Sequence, residues 1–430
     1  DELRIGAILV TVDFQKAFDS LNHNFIIEYC RKFGIPEEMI AWIELLLKNQ
    51  ESCVINSGTT TKYFNLERGA RQGDPIAAYL FIIALEMMFI MIKKNDSIKP
   101  LELCDSAFLY SAYADDVSFF LRDEASVKAL FETIQMFSRY SDLKPNYSKC
   151  EVAGIGTLKG AFWALCGLKS VDLTQSTIKI LGLHYSYNTI LKNENNFSDT
   201  VGKIENLLRV WRQRNLTLDV KITIFKTLAI SKIVYNAYLS EVPDFTITTL
   251  KQIQNSFLWN GKRAKIKQDT LCNSYEKGGL QSVDITLKLK ALQLSWIKRL
   301  YDDNAHQWKT IPLFFLNKAF GPGNPFHSHF CPKNSLLKYL PRFYQTIIAY
   351  WHNCSSDPID ERSVKTQCFW HNAFLKIGNE TFIFKEFKQA NINQVLHICK
   401  NDGSFKSWRE IQNEFGLHNG LYFKYFQLKN

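Results

Sequence analysis

The chain has ten cysteines and no C-x-x-C pair. That scatter argues against a disulfide framework and fits reduced thiols in an intracellular protein. Internal repeats and low-complexity tracts are absent, which excludes a solenoid or a long polar tail. No signal peptide precedes the charged opening DELR, and no initiator Met does either, so the chain is expected to begin inside a longer protein. An uncharged membrane-length run is also missing. The most apolar stretch, Ile76 to Ile92, carries Glu86 near its middle. An acid at mid-bilayer is costly, so a buried core helix is expected there and no membrane partner.

What is present is a folded composition, 46% hydrophobic and 14% aromatic over 430 residues, too long for one core. Charge is unevenly placed. The formal net charge is +10, and residues 201–300 alone hold 17 Lys and Arg against 7 Asp and Glu. The remaining residues balance. Such a local excess is the electrostatic footprint of a surface for a polyanion, although Lys-rich helices also look this way when merely solvated.

The apolar pattern changes along the chain. "GAILVTVDF" reads as a buried strand ending at Asp13. Helical spacing follows from Asn24 to Lys48, broken at Gly34-Ile35-Pro36, then a hairpin over 52–69 and a helix over about 75–94. Residues 107–121 read as strand, tight turn, strand, with the turn at Ala114-Asp115-Asp116. A helix over 123–140 and a strand or hairpin over 178–186 complete an alternation that predicts an α+β sandwich built on an antiparallel sheet. After residue 200 the pattern is mostly helical; Ile204, Leu207, Leu208 and Trp211 share one helix face. Domains are expected at 1–192, 193–304 and 305–430, with "AFGPGNPFHSHF" at 319–330 as loop. No chemistry is visible in 335–430.

Three acids raise the functional question. Asp13 ends one predicted strand, and Asp115 and Asp116 sit in a turn between apolar strands about a hundred residues later. If both strands join one sheet, the carboxylates converge, and their repulsion needs a cation to offset it. Oxygen ligands of this kind suit Mg²⁺, and a pair of such ions suits in-line phosphoryl transfer. A second string, Tyr301-Asp302-Asp303, follows helical "LSWIKRL" and reads as a helix end. His327, His329, Cys331, His352 and Cys354 have zinc-ligand chemistry, but their alternating spacing is unlike a zinc knuckle, and no zinc is expected.

The order of motifs carries a resemblance. "VDFQKAFDSLNH" at 12–23, "RQGDP" at 71–75, "YADD" at 113–116, "SDLKPNYSKCE" at 141–151 and "ILGLHYS" at 180–186 follow one another as do the palm motifs of reverse transcriptases. With "FLWNGKRAKIKQDTLCNSYEKGGLQSVDI" at 257–285, the set resembles a non-LTR (LINE-type) retrotransposon reverse transcriptase over most of 1–300. The resemblance implies a right-hand polymerase palm, a helical thumb at the +10 region, and a mixed, mainly helical C-terminal region, with fingers largely missing. It implies dNTP addition to a DNA primer on an RNA template, with two Mg²⁺ ions (Mn²⁺ as a substitute) held by Asp13, Asp115 and Asp116. Phe14 lends a backbone carbonyl, and Phe18 crowds the ribose 2′-OH. Gln72 and Gly73 touch nucleotide and template. Lys149, with Lys144 as its rival, protonates the leaving pyrophosphate, and Leu181 and Gly182 grip the primer. Arg209, Arg212, Arg214, Lys262, Arg263, Lys265 and Lys267 are the implied phosphate contacts. Asp19 and Asp74 are read as structural or capping groups. The implied setting is a nuclear or cytoplasmic ribonucleoprotein.

Departures from the pattern qualify it. The chain starts about a dozen residues before Asp13, without the fingers or an endonuclease, so this stretch is expected to bind metal and nucleic acid yet polymerise poorly. "DPIAAYLF" stands for the commoner "DPLSPxLF", and Asp142 stands where Gly is usual, in the turn before Lys149. Two rival readings follow: a non-catalytic nucleic-acid binder, relic or co-opted, and an intron-maturase-like RNA-binding protein.

Overall fold

The computed structural model describes residues 5–71, 73–320, 326, 340–354, 369–370, 372, 376–377, 380–400 and 402–429. Gln72 and the zinc-type residues His327, His329 and Cys331 lie outside these, as do the side chains of His352 and Cys354. Two compact units divide the chain, Asp1–Asn196 and Phe197–Asn430.

In the first unit, β1 (Gly6–Val12) is the central strand. The helices α1 (Ala17–Ser20), α2 (His23–Phe33) and α3 (Glu37–Leu47) follow. The Gly34-Ile35-Pro36 break falls between α2 and α3, as its turn chemistry requires. Short hairpin strands come next, β2 (Glu51–Ser52) with β5 (Phe64–Asn65) and β3 (Ile55–Asn56) with β4 (Thr59–Thr60). The apolar run with Glu86 becomes α4 (Ala77–Lys93), with Phe81 and Met88 fully buried. A hairpin of β6 (Leu101–Leu103) and β7 (Ser106–Phe108) leads to β8 (Tyr110–Tyr113) and β9 (Asp116–Leu121). Then come α5 (Glu124–Ser141), β10 (Glu151–Gly156) and β11 (Lys169–Ser170). The hairpin β12 (Ile178–Ile180) and β13 (Leu183–Tyr185) precedes α6 (Thr189–Asn193).

The sheet order is β11-β10-β1-β9-β8, antiparallel except for the short β10–β11 pair. Period-2 alternation divides its two faces. Ile8, Val10, Val12, Val117, Phe119 and Val152 point to the helices and form the main core with α2, α4 and α5. On the opposite face Leu9 and Ala153 pack with Val171, Leu173 and Ile178, with Phe120 and Ile180 against them. This second face turns polar toward one end: Leu9 pairs with Phe120, then Thr11 with Ser118 and Glu151, and the next positions are Asp13 and Asp116. The strands therefore deliver the acids to the sheet's edge because the alternation that buries Val10 and Val12 faces Thr11 and Asp13 the other way. Gly154 is among the glycines that space requires. A Cβ on Gly154 would stand 1.9 Å from the Leu158 carbonyl oxygen.

The second unit is helical at its start. A π-helical turn at Glu194–Ser198, which spans the division between the units, runs into α7 (Asp199–Arg212), followed by α8 (Leu218–Ile224), α9 (Ser231–Leu239), α10 (Asp244–Leu258), α11 (Gln268–Cys272) and α12 (Ile285–Leu300). Ile204 and Leu208 of the predicted face are buried in a core with Ile222, Phe225, Leu250 and Phe257. Tyr301 caps α12, and Asp302 binds the buried Lys309 ammonium, so the second Asp-Asp string is a helix end held by an ion pair. A separate cluster forms around Trp370, Phe387 and Ile411. Among the described residues no helix is long and apolar enough to cross a membrane.

Candidate active site

Asp13 follows β1 directly, and Asp116 opens β9, the strand beside it. Ala114 adopts a left-handed backbone (φ 51°), which tightens the β8–β9 turn and sets Asp115 and Asp116 at its end. Asp13 and Asp116 line one small cleft of about 120 Å³ with Thr11, Ser118, Lys149, Glu151, Lys179 and Leu181. Asp115 lies beside this cleft, outside its lining. The carboxyl of Asp116 is pushed above its ordinary pKa by partial burial first, then by the charges of Asp115 and Asp13.

The segment after α5 docks onto Asp13. The Asn146 amide donates to the Asp13 carbonyl at 2.8 Å and the Gln15 amide to Lys144 O at 2.9 Å, bridging Phe14 to Pro145. These bonds leave the carbonyl of Phe14 facing away from the bridge. The Cys150 thiol, kept neutral by burial, also points at the Asp13 carbonyl, at 3.7 Å. Lys149 thereby reaches the cleft, its ammonium 3.8 Å from Asp13 Oδ2, too far for a hydrogen bond. Lys144 is exposed and outside the cleft lining. Asp142 takes the left-handed conformation (φ 62°) that glycine would adopt without strain. Its Oδ2 accepts from Asn22 Nδ2 at 3.1 Å, so the turn forms with Asp in place.

A cation fits this arrangement on one structural ground. Asp13 Oδ2 is buried and makes no hydrogen bond; the Lys149 ammonium faces it only at 3.8 Å. A buried carboxylate oxygen without a donor asks for a positive ligand. Among the described residues no three Asp, Glu, His or Cys side chains stand close enough to form a ready-made metal cluster.

Phe18 is joined to Gly69-Ala70, the segment just before "RQGDP". Phe18 stacks on fully buried Phe81, ring centroids 4.4 Å apart, and its carbonyl accepts from the Ala70 amide at 2.7 Å. Leu21 O accepts from the Gly69 amide at 2.8 Å, and His23 Nε2 binds Gly69 O at 2.8 Å. Gly73 has φ 92° with open space where a Cβ would stand. Asp74 Oδ1 accepts from the Ile76 amide at 3.0 Å, capping the approach to α4. Leu181 (φ 49°) and Gly182 (φ 83°) form the two-residue turn of the β12–β13 hairpin, with Leu181 on the cleft.

The basic candidates all lie in the second unit and all are exposed: Arg209 and Arg212 at the end of α7, Arg214 just beyond, and Lys262, Arg263, Lys265 and Lys267 after α10. Arg212 Nη2 binds Ser256 Oγ at 2.7 Å, which joins α7 to the end of α10. Sequence reasoning missed Glu151 and Lys179 of the cleft. Their signal was present: in "EVAGIG" and "IKI" the strand alternation turns both away from the buried neighbours Val152 and Ile178. Glu151 is paired with Lys169 at 2.6 Å.

Residues 2–185 match the family model described as reverse transcriptase (RNA-dependent DNA polymerase). A Xenopus laevis transposon TX1 149 kDa protein is 24% identical over 354 residues, 81% of this chain and 27% of that protein. A Pol polyprotein from the type-1 retrotransposable element R2 of Popillia japonica is 25% identical over 236 residues, 53% of this chain and 38% of that protein. The chain thus spans well under half the length of these relatives. The apo telomerase structure from Candida tropicalis is 15% identical with a TM-score of 0.37, covering 72% of this chain and 53% of that one. The reverse transcriptase family implies dependence on divalent metal in general. The acids that share this sheet thus lie within residues 2–185, the segment that matches the reverse transcriptase model, and the chain as a whole is similar to the retrotransposon polyproteins named above.

Proposed function

We propose that the chain is the palm and thumb of an RNA-directed DNA polymerase that adds dNTPs to a primer 3′-OH while copying RNA. One observation carries this reading: Asp13 and Asp116, from neighbouring strands, line a single cleft with Lys149, and one Asp13 oxygen there is buried without a donor. Two Mg²⁺ ions (or Mn²⁺) bound by Asp13, Asp115 and Asp116 would offset the carboxylates' repulsion and stabilise the attacking and leaving oxygens. Phe18, braced flat on Phe81, would leave no room for a ribose 2′-OH. Lys149 would hand its proton to the departing pyrophosphate. The Leu181-Gly182 turn would bring backbone close to the primer end. The exposed Arg209, Arg212 and Arg214 and the Lys262–Lys267 loop suit phosphate contacts to an RNA–DNA hybrid, which is held by shape and backbone. We extend the proposal to a ribonucleoprotein setting inside the cell.

The test is Asp116→Ala in a primer-extension assay beside a hybrid-binding assay. Extension should vanish while binding stays near that of the unmodified chain. Joint loss of both would mean that Asp116 is structural, and unchanged extension would sink the proposed chemistry.

A further inference from the structure

In the β12–β13 hairpin the turn residues are Leu181 and Gly182, so Ile180 and Leu183 form the closing hydrogen-bonded pair and Lys179 faces His184 as a non-hydrogen-bonded pair. The N–H and C=O of His184 therefore point outward from the hairpin. One side chain takes both. Asn196 Oδ1 accepts from the His184 amide at 2.8 Å, and Asn196 Nδ2 donates to the His184 carbonyl at 2.8 Å. Asn196 is only 3% exposed. It sits in the π-helical turn Glu194–Ser198, whose wider turn departs from α-helical spacing, and such turns recur at functional sites. The amide thus acts as a one-residue strand on the hairpin's open edge. On the other side of the hairpin, Ile178 and Ile180 pack on the apolar part of the palm sheet. Held from both sides, the hairpin keeps its Leu181 turn on the cleft of Asp13 and Asp116.

We propose that Asn196 is a positioning residue for the primer terminus: by clamping His184 it fixes where the Leu181-Gly182 turn stands relative to the acids. The inference rests on the polymerase reading above. A carboxylate could not replace the amide, because its second oxygen would oppose the His184 carbonyl. Glutamine would place the amide one methylene too far.

The experiment uses the full chain bound to an RNA template annealed to a DNA primer that ends in a photoreactive 4-thiothymidine. Cross-linked peptides are mapped, hybrid affinity is measured on the same samples, and amide hydrogen exchange reports the fold. In the unmodified chain the primer end should cross-link within 178–185. Asn196→Ala should lower that yield by at least about tenfold, since small misplacements at a reacting centre have effects of this order, with hybrid affinity and the protection of β1 and β9 unchanged. Asn196→Asp should fall as far, and it serves if the alanine variant does not fold. An unchanged yield in a folded variant overturns the inference. So does a loss accompanied by loss of protection in β1 and β9, which would make Asn196 a general stabiliser. Absence of any cross-link to 178–185 in the unmodified chain would instead refute the polymerase reading at this hairpin, and the inference with it.

Discussion

Asp116→Asn separates the charge of the site from its shape. In the metal-free protein Asp116 stands with Asp115 and Asp13, and its carboxyl is held above its ordinary pKa by partial burial and then by those two charges. The folded state therefore binds this proton more tightly than the unfolded chain. Its favourable contribution is full below the unfolded pKa and is lost as pH rises through the folded value. Asparagine removes the charge and keeps the volume, so at pH 7 the metal-free variant should be the more stable protein. Asp116 is solvent-exposed, so the gain is screened to about 0.5–1 kcal/mol, the scale of exposed charge pairs. For a unit the size of Asp1–Asn196 that is roughly 1–4 °C in Tm. Metal should reverse the order. At about ten times its Kd, a bound ion stabilises the unmodified chain by about 1.4 kcal/mol, and the variant should gain little. The assay is a pair of thermal melts, in chelator and in MgCl₂, repeated from pH 7 down to pH 4. The variant's advantage in chelator should shrink toward pH 4 as Asp116 takes up its proton. A variant less stable than the unmodified chain in chelator, or one that responds to Mg²⁺ as strongly, would refute the argument.

Three further outcomes are expected. Phe18→Val should lower discrimination against ribonucleotides by roughly 10–100-fold in the kcat/KM ratio, while lost stacking on Phe81 (4.4 Å) reduces stability by about 1–2 kcal/mol; an unchanged ratio removes Phe18 from sugar selection. Asp142→Ala should destabilise by about 1–2 kcal/mol, because it keeps the strained φ of 62° and loses the bond to Asn22, whereas Asp142→Gly should fall close to the unmodified chain in denaturant titrations; equal losses in both would place the effect elsewhere. Replacing Lys262 and Lys265 together by Ala should weaken hybrid binding without regard to sequence and reduce the slope of log K against log salt by about 1.8, two phosphate contacts at about 0.9 each; an unaltered slope would free that loop from the interface.

Patterns with a local cause were the ones open to sequence reading. The alternation in "GAILVTVDF" buries Val10 and Val12 and turns Thr11 and Asp13 to the other face, and the structure has that arrangement. The break between α2 and α3, the apolar run that becomes α4, and the turn before Asp116 each follow from residues within a few positions. The zinc-type histidines and cysteines were a different matter, since most of them lie outside the described residues. What could not be read were bonds between distant partners. Asn22 and Asp142 are 120 residues apart, and Asp142 alone signals only a missing glycine. Nothing in "NNF" marks Asn196 as the residue that closes on His184, because Asn is equally common in a solvated helix end. Its role requires a π-turn, an outward-facing pair of backbone groups and a two-residue hairpin to coincide. The acids are legible because their chemistry is intrinsic to the side chain. A clamp such as Asn196 is defined by what stands opposite it, so residues of that kind become visible only once the fold supplies the second half of the contact.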